Sequence, residues 1–219
     1  MEFIRDTFSM IPAILATSPV VIRLTAYSLI LAAALGMVFA LVRIARVPVL
    51  RQIVSVVVEI LRGTPLLVQL VYIYYVLPKI GINIDPITSG VVGLGLNYSA
   101  YISEVFRSSI ASIDRGQMEA ALSLGYTPAR AMRKIIIPQS LRISVPPLGN
   151  YVVSMVKDTS LTSVIAVTEI LKQANVLAMT TFQVTEAYTA AAIIYLAISL
   201  PLSGLMKIAE WRVNLNVAQ

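Results

Sequence analysis

Two sets of polar side chains recur at helical spacing inside long apolar stretches of the sequence, and a glutamine lies in a third stretch. Offsets of three, four or eight residues place the members of each set on one face of a helix. Amide, hydroxyl and carboxylate groups donate and accept the hydrogen bonds that a small polar ligand needs. We expect the three stretches to meet around a central cavity; hydrogen bonding between helices is the alternative role for each residue. The candidates are Gln69, Asn97, Tyr101, Glu104, Asn150, Ser154 and Asp158.

The residue types that are missing exclude most enzymatic chemistry. The chain contains no Cys and no His, so it lacks thiolate and imidazole metal ligands, a cysteine nucleophile and a histidine general base. It also lacks the GxxxxGK[ST] loop that cradles nucleotide phosphates. We therefore expect no catalytic residue and no metal site, and any dependence on ATP has to come from another subunit.

The composition indicates an integral membrane protein. Of 219 residues, 58% are hydrophobic and 13% are charged, with a mean hydropathy of +0.83, whereas soluble domains average about 25% charged residues. Several apolar runs approach the roughly 20 residues that a helix needs to cross a bilayer. We predict an all-α fold with five transmembrane helices. They are Val20–Val42, Gln52–Pro78, Pro86–Phe106, Pro138–Val156 and Ala187–Met206.

The parts outside these spans have their own patterns. Residues 1–18 space their apolar side chains as a short helix on the membrane surface would, although a frayed terminus fits equally well. Residues 19–219 form the single transmembrane domain. Pro146 and Pro147 interrupt the fourth span, so neighbouring helices have to satisfy the backbone groups that they free. The polar stretch Leu161–Met179 predicts a helix over a cavity mouth.

The distribution of cations predicts the orientation. Eleven Lys and Arg residues fall in the loops after spans one and three and in the tail, among them Arg43, Arg46 and Arg51. Because such loops stay on the cytoplasmic side, we expect the N-terminus outside and the C-terminus in the cytoplasm. The cations flank spans, so they do not indicate nucleic-acid binding.

Three charges lie inside predicted spans two and three, where they are costly. Glu59 and Arg62 are three residues apart and can pair on one helical face, and Glu104 competes for the same arginine. We expect an ion pair that locks spans two and three, with Glu104 still open as a ligand.

In the loop between spans three and four, Glu119, Ala120 and Ala121 are followed at fixed spacing by Gly125, Ile135 and Pro138. This motif resembles the EAA loop of ABC importer permeases, with Ile137 where leucine is usual. Helix formers precede Gly125, which can end a helix in the left-handed conformation, and Thr127–Pro128 has the form of a new helix start. The resemblance implies that loop 114–138 couples the permease to its ATPase. The matching residues are Glu119, Ala120, Ala121, Gly125, Ile135 and Pro138.

Three further segments are similar to permeases that import polar amino acids: residues 59–70 (EILRGTPLLVQL), 96–110 (LNYSAYISEVFRSSI) and 156–161 (VKDTSL). The resemblance implies a type I ABC importer (MetI-like) permease fold in a bacterial cytoplasmic (inner) membrane. It also implies a second permease subunit, identical or related, two ATPases that bind ATP and Mg, and an extracytoplasmic solute-binding protein.

The expected cargo is a basic amino acid (arginine, lysine or histidine) or glutamine, since Glu104 and Asp158 favour a cationic side chain. Two alternatives remain open. An ATP-independent secondary transporter or channel would leave the EAA loop without a task. A membrane scaffold without cargo would leave the polar stripes unexplained.

Overall fold

The computed structural model describes residues 1–45 and 47–215, with side chains to residue 212, so Arg46 lies outside the described residues. This part of the chain folds into helices joined by turns, which confirms the all-α prediction. The helices are α1 (Glu2–Leu15), α2 (Ser18–Ile44), α3 (Pro48–Gly63), α4 (Leu66–Val71, continued by a π-helical turn Tyr72–Val76 and a 3-10 turn Leu77–Ile80), α5 (Pro86–Ala111), α6 (Arg115–Ser123), α7 (Pro128–Ala131, followed by a π-helical turn Met132–Ile136), α8 (Ile137–Asp158, followed by a 3-10 turn Thr159–Ile165), α9 (Ile170–Thr181) and α10 (Val184–Leu215).

Small residues bring α2 and α5 together over most of their length. A Cβ atom on Gly36 would lie 3.1 Å from the backbone oxygen of Ser99, and one on Gly95 would lie 2.6 Å from Leu31 Cδ2. In a bilayer no hydrophobic force pulls helices together, so close packing of their backbones is what drives their association.

Asp85 forms the N-terminal cap of α5. Its side chain accepts a hydrogen bond from the Thr88 backbone N–H, and hydrogen bonds from Thr88 lower the pKa of the Asp85 carboxyl.

The N-terminal helix packs against the other end of the chain. Met10 and Ile14 on α1 share a core cluster with Ala187, Ala190 and Ile194 on α10. Its opposite face leaves large apolar side chains exposed, Phe3, Ile4 and Phe8 among them. Residues 2–15 are thus an ordered helix, while its place at a membrane surface stays a prediction.

The second predicted span is present as a broken helix and not as one continuous helix. Helices α3 and α4 form a pair bent by 103°. The bend falls at Thr64, whose backbone is extended (φ −107°, ψ 139°), because the ring of a following proline, here Pro65, disfavours the helical conformation.

The fourth span is continuous through Pro146 and Pro147, and its helix begins at Ile137, one residue before the predicted start. The predicted helix over Leu161–Met179 is wrong as one element. A left-handed residue, Ala166 (φ 64°), ends the 3-10 turn, and α9 begins only at Ile170.

In the part of the chain that the structure describes, two helices, Ser18–Ile44 and Val184–Arg212, are long and apolar enough to cross a membrane by themselves, and the count rises to four if each of two bent pairs is one span. Helix α5 is 26 residues long, which at 1.5 Å per residue exceeds the bilayer core, although its Gly, Ser and Asn residues make it less apolar. Five crossings are compatible with these elements.

Candidate functional site: a cavity at the broken helix

The break between α3 and α4 is held by two side-chain amides that reach one carbonyl group. Gln69 Nε2 donates to the Leu61 oxygen at 2.8 Å and Asn97 Nδ2 donates to the same oxygen at 3.1 Å. Gln69 Nε2 also lies 2.7 Å from Thr64 Oγ1. A broken helix leaves carbonyls that have to be satisfied inside a membrane. The two amides therefore fix the bend.

Beside this break lies a cavity of about 480 Å³, within the range of roughly 300–1,000 Å³ typical of small-molecule sites. Four of the seven candidate ligands line it, and Gln69, Glu104 and Asn150 do not. The lining residues are Arg62, Gly63, Thr64, Pro65, Leu66, Asn97, Tyr98, Tyr101, Tyr151, Ser154 and Asp158.

Three tyrosines make the aromatic part of the wall. The Tyr151 ring lies with its centroid 6.0 Å from that of Tyr98 and 6.0 Å from that of Tyr101. The Tyr98 hydroxyl donates to Asp158 Oδ2 at 2.7 Å. Sequence reasoning missed Tyr98 and Tyr151, each of which directly follows a predicted polar residue in the same helix.

The cavity carries opposite charges. The Arg62 guanidinium lies over the Tyr101 ring, 5.6 Å from its centroid, and is 3.8 Å from Glu59 Oε1, as the sequence predicts. Asp158, the acidic residue of the wall, makes no salt bridge with the described part of the chain. The arrangement offers a cation and an anion to one ligand.

Glu104 lies outside the cavity lining, in a cluster of arginines. Its carboxylate pairs with Arg43, with Arg107 at 2.9 Å and with Arg62 at 3.8 Å. The predicted ion pair between spans two and three is thus present, and Arg43 from α2 joins it. A carboxylate held by three guanidiniums is satisfied without a ligand. Glu104, which the sequence left open as a substrate ligand, therefore has a structural role in this ion cluster.

Asn150 also departs from the predicted arrangement. It shares a helical face with Ser154 and Asp158 but is exposed on α8, one turn before Ser154. At that level its neighbour Tyr151 supplies the cavity wall. Helical spacing placed these residues on one face correctly but did not give the extent of the cavity along the helix.

The loop between α5 and α8 folds as a helix–turn–helix, as predicted. Gly125 has a left-handed backbone (φ 81°). Its N–H donates to the Leu122 oxygen at 3.0 Å, and the Tyr126 N–H donates to the Ala121 oxygen at 3.1 Å, the pair of bonds that defines a Schellman helix end. The Thr127 hydroxyl then accepts from the Arg130 N–H at 3.3 Å and starts α7.

The six motif residues of this loop differ in exposure. Glu119, Ala120, Gly125 and Pro138 are exposed, and Ile135 is half-buried. Ala121 is buried, with 1% of its surface exposed. Of the two alanines of the motif, Ala121 thus fills the interior of the loop and only Ala120 faces outward.

The sequence analysis also missed a fully buried carboxylate at the start of α9. Glu169 accepts hydrogen bonds from the backbone N–H groups of Leu171 and Lys172 at 2.9 and 2.8 Å. The Tyr195 hydroxyl donates to it at 2.6 Å. These bonds join α9 to α10. An acidic residue directly before a helical pattern is the signal for such a cap.

Comparison with known proteins agrees with the fold. The family described as the binding-protein-dependent transport system inner membrane component matches residues 32–215. The chain belongs to this family. A probable amino-acid ABC transporter permease protein, PatM of Vibrio harveyi, is 38% identical over 208 residues, which are 94% of this chain and 93% of the relative. The L-cystine transport system permease protein TcyB of Bacillus subtilis is 41% identical over 90% of this chain and 85% of its own length.

A solved amino acid ABC transporter, crystallised with histidines, superposes with a TM-score of 0.84 at 37% identity, covering 92% of this chain and 94% of that chain. The permease fold is therefore MetI-like, and the chain is a permease subunit of an amino-acid ABC importer in the inner membrane. Such a subunit is a transporter and not an enzyme; it works with a binding protein and with the ATPase that binds nucleotide.

Proposed function

We propose that the permease carries a polar L-amino acid, a basic one or glutamine, through the cavity at the broken helix, which opens alternately to the two sides of the membrane as ATP closes the partner ATPases. The observation that carries this proposal is that one cavity is lined by both a cationic residue, Arg62, and an anionic residue, Asp158. A zwitterion needs a donor for its carboxylate and an acceptor for its ammonium group, and this wall has both.

In this arrangement Arg62 binds the α-carboxylate and Asp158 binds the α-ammonium group. The side chain then lies against the rings of Tyr101 and Tyr151, whose faces attract a cation. This supports a basic cargo, and the amide and hydroxyl groups of Asn97 and Ser154 support glutamine as the second choice. TcyB belongs to an L-cystine transport system, and the similar solved transporter contains histidines; both cystine and histidine are polar amino acids.

The coupling proposal concerns the loop of residues 114–138. Its exposed α6 surface, with Glu119 and Ala120, docks into the ATPase. Gly125 provides the turn that aims α7, and Ile135 and Pro138 connect the loop to α8. Gln139 Nε2 lies 3.3 Å from Gln117 Oε1, so α6 is tied directly to α8, a wall of the cavity. This contact supports transmission of ATPase closure to the cavity.

The assembly proposal follows from exposure and charge. Apolar side chains on α3 and α4, including Val56, Ile60 and Val68, are exposed in the single chain and suit contact with a second permease subunit.

In the proposed orientation, the N-terminus and the α9–α10 turn face the solute-binding protein outside, and the coupling loop and the C-terminus lie in the cytoplasm. Residues 1–18 lie on the membrane surface, and residues 19–219 form one permease domain.

Uptake into proteoliposomes tests the function. The full chain, purified with the subunits that accompany it, is reconstituted and supplied with labelled arginine, glutamine and the other amino acids. We expect uptake of arginine or glutamine only when ATP is available to the ATPases. Uptake without ATP would favour the secondary transporter or channel, and a complex that moves no amino acid would favour the scaffold.

Substitutions in the cavity test the binding arrangement. Asp158→Asn is expected to weaken binding of arginine and glutamine alike, by about tenfold or more, because a hydrogen bond to a charged group is lost. Asn150→Ala, on the same helix but outside the cavity, is the matched control and should change binding by less than about twofold. Equal effects of the two variants would remove the cavity from the transport path.

Cysteine labelling tests the orientation, since the chain has no Cys. Ser123→Cys in the coupling loop and Phe182→Cys in the α9–α10 turn are both exposed positions. In intact cells a membrane-impermeant maleimide should label only the cysteine at position 182. Labelling of position 123 from outside would reverse the proposed topology.

A further inference from the structure

Two cavities of different chemistry adjoin at Ile44, close to the end of α2. The first, of about 290 Å³, is lined by Arg43, Arg51 and Arg107 together with Ile44, Ile110 and Ala111. The second, of about 640 Å³, lies between α2 and the coupling loop, and Leu41, Met118, Leu122 and Met132 are in its wall. Because both cavities include Ile44, a single molecule can occupy them together.

The first cavity has an excess of positive charge. Three guanidinium groups line it, and Glu104 pairs with two of them, those of Arg43 and Arg107. Arg51 is exposed, and it makes no salt bridge with any residue that the structure describes. Clustered cations are stabilised by an anion, and the planar guanidinium group suits the paired oxygens of a phosphate.

The second cavity has the opposite character. Every residue of its wall has an apolar side chain, and they come from the end of α2, from α6 and from the start of α7. The arginines mark this end of α2 as a membrane–water interface. A molecule that fits both cavities combines a phosphate with a hydrocarbon chain.

We propose that the two cavities bind one anionic phospholipid. Its headgroup phosphate lies among Arg43, Arg51 and Arg107, and one acyl chain runs past Ile44 into the apolar cavity. Basic pockets between transmembrane helices at the cytoplasmic side are suited to such headgroups. The lipid would contact both α2 and the coupling loop, so the proposal concerns a site separate from the transport cavity and does not depend on the cargo.

Native mass spectrometry tests the lipid class. The full chain, with the subunits that co-purify, is titrated in detergent with dioleoyl phosphatidylglycerol, dioleoyl phosphatidylcholine or inorganic phosphate. We expect the phosphatidylglycerol complex to be retained and the phosphatidylcholine complex to be lost. Equal retention of the two lipids would overturn the proposal, and so would displacement of phosphatidylglycerol by inorganic phosphate at the same concentration, which would reveal a free-phosphate site.

Variants test each cavity separately. Arg51→Gln should lower retention of phosphatidylglycerol about fivefold, the factor expected for one arginine near an anionic lipid. The matched control is Arg142→Gln, which changes an exposed arginine on α8. Ala129→Phe fills the apolar cavity and should weaken the dioleoyl lipid but not dihexanoyl phosphatidylglycerol. Equal losses for the two arginine variants, or for the two chain lengths, would overturn the proposed site.

Discussion

Replacing Gly125 by valine is expected to disrupt the turn between α6 and α7 through the backbone alone. A Cβ atom at this position would meet no heavy atom within 4 Å, and the backbone φ is +81°. The cost is therefore the strain of the left-handed conformation, about 1–2 kcal/mol for an L-residue. That energy lowers the population of the observed turn about 5- to 30-fold relative to alternatives, with the loss of the two hydrogen bonds that end α6.

The assay is the number of amino acids transported per ATP hydrolysed in proteoliposomes. The valine variant should hydrolyse ATP with reduced transport, because α7 no longer holds its angle to α6. Gly125→Asn is the matched control: asparagine adopts the left-handed conformation more readily, so this variant should stay within about twofold of the parent. A valine variant with full coupling would refute the reasoning, and an asparagine variant as defective as valine would assign the effect to side-chain bulk.

Three further substitutions test how the helices are held together, each by thermal unfolding in detergent. Glu104→Gln leaves Arg43 and Arg107 without their carboxylate partner and should cost about 1.5–3 kcal/mol. The control Glu59→Gln changes a side chain that is 68% exposed and should cost less than about 0.5 kcal/mol; equal shifts would contradict the ion cluster. Tyr195→Phe removes the hydroxyl from the buried carboxylate at the start of α9 and should cost about 1.5–3 kcal/mol; an unchanged midpoint would exclude that bond. Gly95→Ala places a Cβ atom 2.6 Å from Leu31 Cδ2 and should cost about 1–3 kcal/mol. Adding Leu31→Ala to this variant should recover part of the loss, and a double variant without any recovery would mean that α2 and α5 are not in contact there.

The sequence predicts best the features that depend on neighbours in the chain. Helices α2, α5 and α10 coincide with apolar runs. Gly125 ends α6 and Thr127 starts α7, and the hydrogen bonds of these caps span no more than five residues. Such short-range hydrogen bonds are encoded by the local residues themselves. The helix–turn–helix was accordingly predictable in detail.

The bend between α3 and α4 was signalled but not predicted. Gly63, Thr64 and Pro65 stand in the middle of an apolar run, and hydropathy alone extends one span across them. The bend persists because Gln69 and Asn97 satisfy the freed Leu61 carbonyl. Asn97 is 36 residues away from Leu61, and no local pattern reveals that contact.

Side chains that act across the fold were the least predictable. Helical spacing predicted correctly that Tyr101, Ser154 and Asp158 lie at one cavity, but it could not show that Glu104 pairs with arginines from three helices. The bond between Tyr195 and Glu169 joins residues 26 apart. Such pairings depend on how the helices pack, which the spacing of one helix does not determine.

Cross-linking from the coupling loop tests the central claim most directly. In this cysteine-free chain, Ala120→Cys places a thiol on the exposed side of α6. Met179→Cys places one near the end of α9, where the Met179 side chain is 71% exposed. After treatment of the assembled complex with a thiol-directed photo-cross-linker, position 120 should join the chain to the co-purifying ATPase and position 179 should not. The absence of an ATPase product from position 120, or equal products from both positions, would contradict coupling through this loop.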